Sequence, residues 1–271
     1  APIPGVTGES IGMTEDGDVV GYYRQPSSSR SRGFFWTPFV GFRTLPAPPA
    51  ATVATVGRGV AENGIVVGSA NVTIEGGPFG TNTVRRGAVR DSPTGYLLND
   101  HAPRRENRLI GNAIDINSGG ESAVTYRNSD PSPVSPVTEN HVALLYPRNG
   151  RVDLDPQPRT PVAFQTSSIA TGDFNDDGFP DIVTASLSVI EPARVLINNQ
   201  DGSLVLADSL ATPESIAEVA VMDVNGDGNL DIIAAGDEGV RWARGNGTGA
   251  FATFSTSFNV PESIFTGIEV L

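Results

Sequence analysis

The chain has no cysteine. No disulfide and no thiolate zinc site can staple it, and cysteine usage gives no clue to the redox compartment. It has two histidines, His101 and His141. A catalytic histidine needs a supporting constellation, and neither a serine nucleophile motif nor a Cys/His pair nor zinc spacing accompanies them. His141 reads as a strand residue. No apolar run approaches the ~20 residues a membrane helix needs, and no signal-peptide pattern is present. The chain opens Ala1-Pro2 without Met, which fits a mature or recombinant form whose leader is gone. Sustained 3.6-residue periodicity is lacking too, so helix content is expected to be very low. Basic charge is scarce: the formal net charge is −13. That argues against a nucleic-acid partner, which needs a basic surface. Solubility is the simplest reason for the acidity.

What the chain has in quantity is turn residues, 31 glycines and 21 prolines, as an all-β domain with many hairpins requires. Two nine-residue segments stand out. They are Asp173-Phe-Asn175-Asp-Asp177-Gly178-Phe179-Pro-Asp181 and Asp223-Val-Asn225-Gly-Asp227-Gly228-Asn229-Leu-Asp231. Both read D-x-N-x-D-G-x-x-D. Oxygen side chains at positions 1, 3, 5 and 9, with glycine at 6, suit a loop wrapped around one Ca2+. Alternate positions let the oxygens converge, and glycine allows the tight turn. A metal-free Asn/Asp/Gly turn is the plain alternative for one copy; two copies in one frame favour the metal. The expected ligands are Asp173, Asn175, Asp177 and Asp181, with the Phe179 carbonyl, and Asp223, Asn225, Asp227 and Asp231, with the Asn229 carbonyl.

An EF-hand would need a bidentate Glu at position 12 and flanking helices. Position 12 is Thr184 in one copy and Ala234 in the other. The flanks Ile182-Val-Thr-Ala185 and Ile232-Ile-Ala-Ala235 are short and apolar, so they read as buried strands. The unit is strand, calcium turn, strand. At this point 167–186 and 217–236, with the later Gly245–Phe254 segment, resemble the FG-GAP/VCBS repeat, the calcium-bearing blade of integrin-type β-propellers. The resemblance covers 167–271 and implies blades and calcium, without naming an activity; calcium loops of this type suit millimolar extracellular calcium better than the cytosol.

The repeat extends to the start of the chain. Ile11–Gly21, Val60–Gly68 and Ile114–Val124 each read as strand, turn and strand without the acid set. Gly17, Gly64, Gly119, Gly178 and Gly228 then anchor five units of propeller-blade size. Each unit is expected to add two strands, such as Gly33–Pro38 with Gly41–Leu45, and His141–Tyr146 with Gly150–Leu154. The segments Gly33-Phe34-Phe35-Trp36-Thr-Pro38 and His141-Val142-Ala143 resemble the HAF repeat, over 8–156. The expectation is one propeller domain over 1–271 with five four-stranded blades, the first three free of metal, or a part of a larger ring. Blades need neighbours to bury their faces, which favours one ring over two modules joined at the Pro-rich stretch 155–161. Ile264–Leu271 reads as the first strand of a sixth unit, with Glu269 where its first acid would stand.

Other chemistry is thin. Asn99–Asn107, with His101, Arg104 and Arg105, concentrates positive charge and could hold an acidic sugar, though a solvated loop is the simpler reading. Asp16 and Asp18 form an acid pair of the kind glycosidases use, in a turn where acids are common anyway. Phe34, Phe35, Trp36 and Trp242 read as strand residues packed between blades. Asn71-Val-Thr73 and Asn246-Gly-Thr248 are glycosylation sequons. The expected function is an extracellular, calcium-stabilised binding or adhesion module for glycans or proteins, and not an enzyme. A scaffold segment of a surface protein and the propeller of a polysaccharide-degrading enzyme are the alternatives, since fold alone does not choose among them.

Overall fold

The computed structural model describes residues 6–28, 30–46, 51–77, 80–90, 96–97, 108–117, 120–129, 138–148, 151–152, 160–162, 166–190, 192–212, 215–236 and 239–255. The fold is all-β: these residues form several antiparallel sheets, and none of them lies in a helix. The chain divides into two compact units, one formed by Ala1–Thr138 and Leu145–Asp155, the other by Glu139–Leu144 and Pro156–Val270.

In the first unit, β1 (Thr7–Met13), β2 (Val19–Arg24), β3 (Ser31–Thr37) and β4 (Gly41–Thr44) form a four-stranded sheet in chain order. So do β5 (Ala51–Val60), β6 (Val66–Gly77), β7 (Gly80–Arg90) and β8 (Tyr96–Leu97). Next, β9 (Arg108–Ile116) pairs with β10 (Ser122–Ser129). The three hairpins that lack the acid set share one turn. Thr14 N–H donates to Asp18 O, Ala61 N–H to Ile65 O, and Asn117 N–H to Glu121 O, at 2.9–3.0 Å. Each is a three-residue loop ending on a left-handed glycine, Gly17 (φ 82°), Gly64 (φ 76°) and Gly120 (φ 89°). The third anchor is thus Gly120; the expected Gly119 lies outside the described residues. Val20, Leu45, Val60 and Val66 form the buried core between the first two sheets, with Phe35 against it.

In the second unit, β11 (Thr138–Leu145) pairs with β14 (Thr160–Val162) through Asn140–Val142. This corrects the expected partner of the His141 strand. Of the expected partner segment Gly150–Leu154, the described residues Arg151–Val152 (β13) pair instead with Pro147–Arg148 (β12), in a hairpin that belongs to the first unit. Arg151–Val152 is taken up by the tight hairpin with Pro147–Arg148, and Thr160–Val162, anchored by Thr160 Oγ1 donating to Leu204 O at 2.8 Å, holds the β11 edge. Then β15 (Thr166–Gly172), β16 (Asp181–Ser186), β17 (Ala193–Asn198) and β18 (Leu204–Leu210) form a four-stranded sheet in chain order. The following sheet has three strands, β19 (Ile216–Met222), β20 (Asp231–Gly236) and β21 (Gly239–Ala243), plus a bridge between Gly245 and Phe251. The proposed sixth-unit strand, 264–271, lies outside the described residues.

Strand β16 is buried at every position, which explains its continuous apolar run: it is covered on both faces. One cluster joins the two sheets. It contains Ala170, Phe174, Val183, Val195, Ile216, Val219 and Ile232, with Leu230, Phe251 and Phe254 packed against it. Fully burying a side chain such as Ile182, Leu196 or Ile232 contributes about 1.5–3 kcal/mol. Two side-chain bonds align the sheets: Ser167 Oγ donates to Ile216 O (2.8 Å), and Val219 N–H to Ser168 Oγ (3.3 Å).

Candidate metal loops

Both acidic segments join the first strand of a sheet to the second, and they fold alike. Position 1 lies just beyond the first strand; position 9 opens the second. The position-1 acid turns into the loop and accepts two N–H groups. Asp173 Oδ1 accepts from Asp177 (3.1 Å) and Oδ2 from Gly178 (2.7 Å). Asp223 takes the same pair, from Asp227 (3.2 Å) and Gly228 (2.8 Å), and adds Gly226 N–H (2.7 Å). The position-5 acid accepts from position 7: Phe179 N–H to Asp177 and Asn229 N–H to Asp227, both 2.9 Å. Position 6 is left-handed, as expected, at Gly178 (φ 84°) and Gly228 (φ 88°). Position 4 is left-handed as well, at Asp176 (φ 57°) and Gly226 (φ 76°), which sequence reasoning missed. The presence of Asp and Gly at position 4, two residues that tolerate this region, was the signal.

The position-9 acids are fully buried and brace the sheets. Asp181 Oδ2 accepts Phe174 N–H (2.9 Å), and Oδ1 accepts Asn198 N–H (2.8 Å) from the end of β17. Asp231 does the same with Val224 (3.0 Å) and Gly245 (2.8 Å). Burial pushes the Asp181 carboxyl up to about 6, against the lowering effect of the Asn198 and Phe174 N–H groups; Asp177 and Asp173 add repulsion. Among the described residues, no three acidic or imidazole side chains gather into a ready metal cage. The position-1 and position-9 oxygens are aimed at backbone N–H groups instead.

Asn175 is the informative side chain. Its Nδ2 donates to Asp177 Oδ2 (3.1 Å), while its Oδ1 is buried with no hydrogen-bond partner. A buried oxygen without a donor is costly. It is position 3 of an all-oxygen loop, where a hard cation would take it, so the donor set fits Ca2+. The loop is covered by the Gly245–Phe251 turn: Gly249 N–H donates to Phe174 O (2.9 Å), and the Phe251 ring meets Phe174 edge-on at 5.3 Å.

Loop 223–231 differs in two ways. Arg244 places Nη2 at 2.7 Å and Nε at 3.1 Å from Asp227 Oδ2. The Asn229 backbone N–H, then Arg244, hold Asp227 down at about 2. Asn225 turns its Nδ2 to Asp231 Oδ2 (3.3 Å) and is exposed.

The remaining candidates fall as follows. His141 is a β11 residue opposite Pro161. His101, Arg104 and Arg105 lie outside the described residues, as does Glu269. Asp18 closes the first turn, its N–H on Thr14 Oγ1 (3.0 Å); burial and then Asp16 raise its carboxyl. Trp242 is a half-buried β21 residue bonded through its backbone to Ser255. Asn246 caps its own turn, accepting Thr248 N–H (2.9 Å) and Oγ1–H (2.8 Å). The strand carrying Asn71 and Thr73 is β6. Phe35 joins the core, Phe34 stacks on Phe42 (5.2 Å, 25°), and Trp36 is exposed.

Residues 173–234 and 223–270 match the FG-GAP-like repeat, so this part of the chain consists of FG-GAP-like repeats. A search of curated proteins finds no match. Among solved structures, a thermostable family-43 glycoside hydrolase is similar at 8% identity and TM-score 0.48, over 96% of this chain and 95% of that one. The polysaccharide lyase Uly1 is similar at 12% identity and TM-score 0.42, over 91% of this chain and 56% of that one.

Proposed function

We propose that this chain is an extracellular, calcium-stabilised β-propeller that serves as a non-catalytic binding module for carbohydrate. The observation that carries the calcium is the buried, donorless Asn175 Oδ1 within an all-oxygen loop. Asp173, Asn175, Asp177 and Asp181, and Asp223, Asn225, Asp227 and Asp231, would hold the two ions, with the Phe179 and Asn229 carbonyls. Bound Ca2+ would neutralise the clustered carboxylates and tie the first two strands of each sheet together. Loops of this kind suit extracellular calcium concentrations. The blades preceding them would carry no metal, because their three-residue turns have no alternating acid set.

The recognition surface in this reading is the face of β1–β4 turned away from the core. Side chains alternate along a strand, so the register puts Phe34, Trp36 and Phe42 on one face, over a buried Tyr23 that meets Phe42 edge-on, with Arg32 opposite Tyr23. Trp36 and Phe42 are 38% and 41% exposed, enough for a pyranose ring to stack on them. Residues 19–61 contain no Asp or Glu and five arginines, in a chain of net charge −13. That local charge favours sugars bearing carboxylate or sulfate groups. A glycan array read with calcium and with chelator tests the module. Trp36→Ala and Phe42→Ala should each abolish binding with little change in melting temperature. Depolymerisation of an acidic polysaccharide by the wild type would make the chain an enzyme and end the non-catalytic reading.

A further inference from the structure

Resting on the calcium reading above, we infer that the two loops are unequal cation sites, and that Arg244 acts as a resident counter-cation that weakens the second. The register gives the comparison its control. Ile182 pairs with Leu196 and Ile232 with Ala243, so the residue after each, Ile197 and Arg244, holds the same place in its sheet. The shared N–H bonds of Asn198 to Asp181 and Gly245 to Asp231 fix the same alignment.

At that place loop 173–181 meets an aliphatic side chain packed on the core. Loop 223–231 meets a guanidinium that makes two bonds to the position-5 carboxylate. Both oxygens of Asp227 are engaged, Oδ2 by Arg244 and Oδ1 by the Asn229 backbone and side-chain amides (2.9 Å each). A cation entering this loop must displace Arg244 and then share the site with its charge. Arg244 is 62% exposed, so it can swing into solvent, and the site is weakened rather than closed. In loop 173–181, Asp177 Oδ2 has only amide donors, Asn175 at 3.1 Å and Gln200 at 3.4 Å. A cation there replaces neutral groups and satisfies Asn175 Oδ1.

The covering of the loops points the same way. Phe174 is 3% exposed beneath Phe251, whereas its counterpart Val224 is 43% exposed. The first loop is therefore set up to keep its ion, and the second to fill and empty as calcium changes.

Isothermal titration of the full, chelator-stripped chain with Ca2+ tests this. Wild type should show a tighter and a weaker step; Asp177→Ala removes the first and Asp227→Ala the second. Arg244→Gln should tighten the weaker step about three- to ten-fold by removing one positive charge from the divalent ion's surroundings, and leave the tighter step in place. Arg244→Lys, which keeps the charge and loses the fork, should fall between. A wild-type stoichiometry of one that becomes two in Arg244→Gln carries the same meaning. Two equal steps in wild type, or an unchanged weaker step in a folded Arg244→Gln, overturn the inference while leaving the calcium reading intact. No Ca2+ uptake by any variant would overturn the calcium reading itself.

Discussion

Asn198 N–H donates to Asp181 Oδ1 at 2.8 Å, and the Asn198 side chain returns to the Pro180 carbonyl at 3.1 Å. The acid that ends the loop is thereby bonded to the far end of β17, and a second turn is tied in when Gly202 N–H donates to Asn198 Oδ1 (3.1 Å). This gives Asp181 a structural role that does not need a metal. Asp181→Ala should strand two buried N–H groups, at about 1–3 kcal/mol each. The loss, read by urea denaturation, should persist in chelator. A variant destabilised only when calcium is present would make Asp181 a ligand and nothing more.

The same carboxylate sets a pH dependence. Burial raises it from 3.8 to about 6 in the folded chain. The folded state then binds a proton more tightly than the unfolded one between these values. Stability of the calcium-free protein should therefore fall as pH rises from about 4 to 6, by on the order of 2 kcal/mol. Melting curves in chelator across this range check it, and Asp181→Asn should flatten the slope. Saturating calcium, which favours the ionised form, should oppose it.

Calcium itself should raise the melting temperature. A ligand that binds only the folded state adds about 2.7 kcal/mol at one hundred times its dissociation constant. Chelation should reverse the gain. Asp177→Ala should cost more of it than Asp227→Ala, since the Asp227 site already carries Arg244. An unchanged melting temperature with lost glycan binding would place the metal at the recognition surface instead.

Position 4 gives a test with no metal in it. Asp176 holds φ 57° where its counterpart Gly226 holds φ 76°. Asp176→Gly should stabilise the chain by about 0.5–1 kcal/mol, because glycine carries no penalty in this region. Gly226→Ala should do the reverse. Denaturant midpoints of both variants, measured in chelator, decide it.

Much of this was legible in the residues. The repeat of D-x-N-x-D-G-x-x-D placed two hairpins within a residue or two, and the apolar flanks marked β16 and β20. What escaped was set by contacts distant in sequence. Arg244 is 17 residues from Asp227, and nothing local links them. The fourth strand escaped because Gly150–Leu154 is the next β-like run in the sequence, whereas Arg151–Val152 folds back on Pro147–Arg148 and the more distant Thr160–Val162 takes the β11 edge. The turns at Asn199–Ser203 and Asn246–Ala250, each closed by one N–H···O bond, recur at the same place in the two sheets. They share Asn at the first place and a left-handed Gly at the fourth, Gly202 and Gly249, but at the second place the left-handed residue is Gln200 in one and Gly247 in the other, which hides the repeat in the sequence.

The contact between Phe251 and Phe174 yields the last prediction. Phe251 covers the first loop from the neighbouring sheet, and its turn supplies the Gly249 N–H to the Phe174 carbonyl. Phe251→Ala should remove the edge-on ring contact, about 0.5–1.5 kcal/mol, together with the partial burial of the ring, which adds less than the roughly 1.5–3 kcal/mol of a fully buried side chain. It should also open Asn175 Oδ1 to water. Water would then satisfy that oxygen without metal, and the first site would lose part of its advantage over the second. Calorimetry on Phe251→Ala should show the tighter calcium step weakened and the weaker one preserved. Equal weakening of both steps would mean that the ring supports the fold as a whole and does not act on this loop.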